Sequence, residues 1–181
     1  MSRLPQILNR HIVARSRLFT VEALDLRFGN GVEARFERLR SSLSGAVLVV
    51  PVTDDDRLVL IREYGAGVER YELGFPKGKV DPGEGWAEAS VRECIEEAGY
   101  RPGSVRLLDT VTLSAGYMSH VTHLVLAEAL VPASATGDEP EPLEVVHWPL
   151  DDWRALVDDP DFTEGRAYAA LLRALQARGR L

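Results

Sequence analysis

GKVDPGEGWAEASVRECIEEAGY, residues 78–100, decides how the rest of the chain is read. Ala87, Val91, Ile95 and Ala98 recur at helical spacing and Gly99 supplies a stop, so a helix is expected from about Trp86 to Ala98. On it Glu93 and Glu97 are four residues apart and share a face, where two carboxylates can converge on a hard cation. Like charges at that spacing weaken a bare helix by about 0.2–0.5 kcal/mol, a penalty that a bound cation removes. Arg92 and Glu96 have the same spacing and opposite charge, so they suit an ion pair that orients the neighbouring face. Glu84 lies just ahead of the helix, near the positive end of its dipole, and Gly78 and Gly83 permit close backbone approaches. The plain alternative is a solvated helix that happens to be rich in glutamate.

Outward from this stretch, the residues preceding it form a loop rich in glycine and proline, 74–85. Before the loop, 46–52 is almost wholly apolar and rich in valine, as in a strand covered on both faces. Residues 57–64 form a second strand after the turn Asp54, Asp55, Asp56, and the two are expected to be neighbours in one central sheet. From 18 to 39, alternation is interrupted by Gly29, Asn30 and Gly31, which predicts a hairpin. Further strands are expected over 105–113, 121–127 and 143–148, with a closing helix after Thr163. The acidic, proline-bearing segment 132–142 is expected to be an exposed loop that reaches the site. The result is an α/β chain with an N-terminal β hairpin, 1–42, ahead of a main domain, 43–181.

The stretch resembles the Nudix box, G-x5-E-x7-R-E-U-x-E-E-x-G-U with U aliphatic, and all seven fixed positions are filled: Gly78, Glu84, Arg92, Glu93, Glu96, Glu97 and Gly99. Cys94 and Tyr100 depart from the aliphatic positions, and Cys94 can serve there as a small buried hydrophobe. The resemblance implies a Nudix α/β/α sandwich with a mixed sheet. It also implies magnesium, or manganese, on Glu93 and Glu97 with Glu96 joining them. Water would attack phosphorus with a glutamate as base, so Glu96 and Glu97 become catalytic candidates.

Three further stretches, VARSRLFTVEALDLRFGNGVEARFERLR, LIREYGAGVERYELGFPKG and GDEPEPLEVVHWPL, are similar to the NudE-type ADP compounds hydrolases and the related ADP-ribose pyrophosphatases. That similarity implies cleavage of ADP-ribose, diadenosine polyphosphates or NADH into AMP and a second phosphorylated product. It also implies a homodimer built through the amino-terminal strands. Many ADP-ribose pyrophosphatases carry a proline about sixteen residues past the box, where this chain has Gly116, so a strict preference for ADP-ribose is not implied. Glu139 and Glu141, on the acidic loop, are candidates for the base that deprotonates the attacking water. Arg40, Arg62, Glu63 and Glu72 are candidate substrate contacts: the last three flank the loop leading into the box, and arginine forks suit phosphate oxygens.

Bulk properties narrow the partners. The formal net charge of -7 opposes a long nucleic acid, while a diphosphate remains acceptable if a metal reverses the local sign. The one cysteine excludes an intrachain disulfide and fits a reducing, cytoplasmic setting. No apolar stretch reaches the roughly 20 residues needed to span a bilayer, so no membrane partner is expected. His11, His120, His123 and His147 are not spaced as a zinc site. Two competing readings stay open: a Nudix pyrophosphatase for another nucleotide class, and a non-catalytic nucleotide sensor.

Overall fold

The computed structural model describes residues 3–41, 44–135, 137 and 140–181. They divide into two compact units: Met1–Leu43 with Thr112–His120, and Ser44–Val111 with Val121–Leu181. The segment 112–120, which lies within the catalytic span 43–181 in sequence, therefore belongs with the N-terminal unit.

The N-terminal unit is a three-stranded antiparallel sheet, β1 (Gln6–Arg15), β2 (Thr20–Arg27) and β3 (Glu33–Leu39), in the order β1-β2-β3. β2 and β3 are the expected hairpin. β1 extends it, and sequence pattern did not announce it: nine of its ten residues are exposed, so it has no buried face to leave an alternating signature.

In the second unit, one sheet has the order β7-β4-β9-β8 and another the order β10-β5-β6. The strands are β4 (Ala46–Pro51), β5 (Arg57–Gly65), β6 (Arg70–Gly74), β7 (Lys77–Lys79), β8 (Tyr100–Thr112), β9 (Val121–Pro132) and β10 (Glu144–Pro149). β4 runs antiparallel to β7 and parallel to β9, which makes its sheet mixed. β4 and β5 are consecutive but not neighbours in one sheet, contrary to expectation; they share only the bridge Val52–Leu58 before diverging. β7 lies within the expected loop, 74–85, and β6 lies mostly ahead of it, where sequence suggested no element.

β4 is buried along its whole length because it is covered on both faces. Leu48 and Val50 point into a core with Ala167, Ala170, Leu171, Ala174 and Leu175 of α3 (Gly165–Ala177). Val47 and Val49 point the other way, into a core with Ala89, Cys94 and Ala98 of α1 (Trp86–Ala98). Helix, sheets and helix thus form the α/β/α sandwich. Each fully buried valine contributes about 1.5–3 kcal/mol, so α1 is fixed by packing its apolar face on Val47, Val49 and Val59. A short helix, α2 (Trp153–Val157), precedes α3.

Candidate functional site

α1 begins after Gly85, whose N–H donates to Glu88 Oε2 at 2.7 Å, and it ends at Gly99, which takes the left-handed φ of 74°. A side chain at that φ is strained, so glycine terminates the helix at this point. The fixed ends and the Ala89–Cys94–Ala98 seam set the rotation of the helix. Glu93 and Glu97 are thereby directed inward, and both are buried.

Gly78 makes room for one of them. A Cβ there would sit 1.9 Å from Glu93 Oε1 and 2.1 Å from its Cδ, so no larger residue fits while the carboxylate stays in place. Next to it, the Lys77 main-chain N–H donates to Glu97 Oε2 at 2.8 Å. Burial pushes the Glu97 carboxyl up to about 8, more than the nearby Lys77 charge and this hydrogen bond lower it, while Glu93 and Glu63 raise it further.

Arg92 gathers the other carboxylates. It donates to Glu84 Oε1 and Oε2 at 3.1 and 3.0 Å, to Glu93 Oε1 at 2.7 Å, to Glu96 Oε2 at 3.1 Å and to the Lys79 carbonyl at 2.9 Å. These five bonds match the five donors of a guanidinium, a geometry no lysine reproduces. Its own pKa is raised, chiefly by the hydrogen bonds it donates to Glu84. Glu84 is held below the usual carboxylate range by the same arginine. The expected Arg92–Glu96 pair is present, and Glu84 is held by Arg92.

Glu93, Glu96 and Glu97 open onto a cavity of about 430 Å³ whose far wall is the acidic loop, with Glu141 among its lining residues. Glu141 accepts a hydrogen bond from Tyr71 Oη at 2.5 Å, which raises the Tyr71 phenol. Glu139 lies outside the described residues.

The other sequence candidates make contacts of their own. Arg62, on β5, pairs with Asp161 and with Glu144 at 3.5 Å, so its fork is committed to carboxylates. Arg40 belongs to the N-terminal unit, where its Nη1 lies 3.8 Å from Glu22 Oε1. Glu72, on β6, accepts hydrogen bonds from Arg70 and from Thr163. Burial would raise its pKa, but those two bonds hold it low. Two histidines are engaged in neutral contacts, His147 with Tyr100 Oη and His123 with Thr110 Oγ1, each at 3.0 Å. Cys94 is buried, which pushes its thiol up to about 12 and suits a packing role.

Glu63, a candidate from the sequence, forms an ion pair beside the glutamates with Lys77, which sequence reasoning missed. A lysine between proline and glycine carries no pattern that distinguishes it from a solvated one.

The fold agrees with comparison to known proteins. The NUDIX domain model matches residues 43–169, and the model of the NudE-type Nudix hydrolase N-terminal domain matches residues 5–38. The chain belongs to the Nudix hydrolase family. This Nudix chain is 48% identical over 180 residues to ADP compounds hydrolase NudE of Escherichia coli (strain K12), covering 98% of this chain and 96% of that protein. It is 27% identical to the ADP-ribose pyrophosphatase of Bacillus subtilis (strain 168), covering 94% and 98% respectively. A crystal structure of an ADP compounds hydrolase superposes with a TM-score of 0.92 at 47% identity, covering 100% of this chain and 99% of that one. Nudix hydrolases depend on divalent metal.

Proposed function

We propose that this Nudix chain hydrolyses the diphosphate linkage of ADP compounds, namely ADP-ribose, diadenosine polyphosphates and NADH, to AMP and a second phosphorylated product. The observation that carries the reading is the pair of buried carboxylates, Glu93 and Glu97, on one face of α1, with Gly78 kept small beneath them. Arg92 already pairs with Glu93, whereas Glu97 is met by a main-chain N–H, and a buried carboxylate so placed is unfavourable unless positive charge joins it.

These residues fit a divalent cation of the hard type. Among the described residues no three carboxylates or imidazoles form a ready-made cage. Magnesium needs none, because it binds through one or two carboxylates and completes its shell with water and substrate phosphate. Glu93 and Glu97 would hold it, with Glu96 free to join by exchanging Arg92. When bound, Mg²⁺ or Mn²⁺ neutralises charge on the diphosphate as water attacks phosphorus. Arg92 keeps Glu93 and Glu96 in register, and Glu141, which lines the same cavity from the loop, would take the proton of the attacking water.

The N-terminal unit is proposed to pair with a second copy, residues 1–42 acting as the dimerisation element ahead of the catalytic span 43–181. Its exposed Ile7, Leu8, Ile12, Val13 and Phe36 support this. The cytoplasm is the proposed setting, on the strength of the single cysteine, and is supported by no helix being long and apolar enough to cross a membrane.

The test is chromatographic product analysis after incubation with magnesium and, separately, ADP-ribose, diadenosine triphosphate, NADH and a nucleoside triphosphate. AMP release from the ADP compounds, abolished in Glu97→Gln, is expected. Binding without turnover of any of the four would move the sensor reading ahead.

A further inference from the structure

Lys77 connects two places. Its main-chain N–H holds Glu97. In the β4–β7 ladder it lies opposite Leu48, whereas Gly78 lies opposite Val47. Residues paired across a ladder share a face, and Leu48 belongs to the α3 core while Val47 belongs to the α1 core. The Lys77 side chain therefore leaves β7 on the face opposite to Glu93.

There its ammonium pairs with Glu63 at the wall of a cavity of about 560 Å³, bounded by the β5–β6 hairpin and the start of α3. Ile61, Tyr64, Val68 and Leu73 give this cavity apolar walls, and Glu72 and Glu164 give it acceptors for hydroxyl groups. The Lys77 side chain is half-buried, and burial alone works against its charge. Glu63 first, then Glu97 and Glu164, outweigh that burial and keep the ammonium protonated. A cation thus stands between the glutamates of α1 and a cavity of nucleoside size, neutralised for the present by Glu63.

We propose that Lys77 is a substrate-binding residue whose ammonium is parked on Glu63 in the free protein and passes to a phosphate oxygen of the diphosphate when the ribose-bearing half of the substrate enters this cavity. The inference rests on the hydrolase reading above. Glu63 then competes with the substrate for one ammonium, so the two partners of a single ion pair have opposite effects on affinity. A pair that served only to brace the hairpin would affect both variants alike.

Titration calorimetry with the α,β-methylene analogue of ADP-ribose and magnesium decides between them, with Mn²⁺ binding in the absence of nucleotide as a second readout. Lys77→Gln is expected to weaken analogue binding roughly ten- to hundredfold, the range for losing a charged hydrogen bond. Lys77→Arg should recover most of that loss, and Glu63→Gln should bind more tightly than wild type. Mn²⁺ affinity should change less than analogue affinity in all three, since the Lys77 and Glu63 side chains act on Glu97 only through their charges. Equal weakening by Lys77→Gln and Glu63→Gln, a parallel loss of Mn²⁺ affinity, or no analogue binding by the wild type overturns the inference. Failure of the wild type to turn over any ADP compound would instead refute the hydrolase reading, which the calorimetry tests separately.

Discussion

Glu97→Gln should remove activity and at the same time stabilise the metal-free protein. The Glu97 carboxyl is raised from 4.5 to about 8, first by burial and then, against the pull of Lys77, by Glu93 and Glu63. Because its folded pKa lies above its unfolded one, its favourable contribution is complete below about 4.5 and is lost as pH rises through about 8. At pH 8, linkage sets a ceiling of about 4 kcal/mol on the cost of keeping this group ionised in the fold. Local adjustment of water and of the Lys77 ammonium reduces it, and about 2 kcal/mol is expected. Glutamine retains an oxygen to accept the Lys77 N–H and carries no charge.

For a chain of this length, 1 kcal/mol moves the melting temperature by about 2–4 °C. Thermal denaturation in EDTA at pH 8 should therefore place Glu97→Gln about 4–8 °C above wild type. At pH 5 the gap should shrink to about 2 °C or less, because the wild-type carboxyl is then largely protonated. Adding magnesium should raise the wild-type melt by mass action and leave the variant nearly unmoved. A variant that melts at or below wild type in EDTA at pH 8, or a gap of the same size at both pH values, would refute the reasoning.

Two further substitutions test how the glutamates are held. Gly78→Ala places a Cβ on the Glu93 carboxylate, so kcat/KM should fall at least about a hundredfold with Mn²⁺ binding, while circular dichroism shows an intact fold; near-normal kinetics would show that Glu93 can move without consequence. Arg92→Lys keeps the charge but cannot bridge Glu84, Glu93, Glu96 and the Lys79 carbonyl together, so kcat should fall roughly tenfold or more and the melt by several degrees; a variant unchanged in both measurements would remove the organising role of this arginine.

What was legible in the sequence follows from what leaves a pattern. α1 showed because its apolar spacing, its glycine stop and seven fixed positions coincide within 78–100. β4 showed because a strand covered on both faces is apolar throughout. β1 did not, since an exposed strand has no obligatory alternation, and β6 and β7 were hidden by Gly74, Pro76 and Gly78. Their strand character comes from the neighbours they pair with, β5 and β4. The separation of β4 from β5 is likewise a tertiary fact: both are apolar runs flanking a tight turn, which describes a hairpin as well as it describes two strands parting into different sheets.

The site divides in the same way. Local spacing places Glu93 with Glu97 and Arg92 with Glu96, but it cannot say which carboxylate lacks a counter-charge. In the fold, Arg92 answers Glu84, Glu93 and Glu96 with direct hydrogen bonds. Glu97 receives the main-chain N–H of Lys77, while the ammonium of that lysine is paired with Glu63. The carboxylate with the most unfavourable charge is thus the one that gains most from an incoming cation, and it is fixed by the same residue whose side chain reaches the second cavity. Metal affinity should accordingly depend most steeply on Glu97, and substrate affinity on the partner that Lys77 chooses.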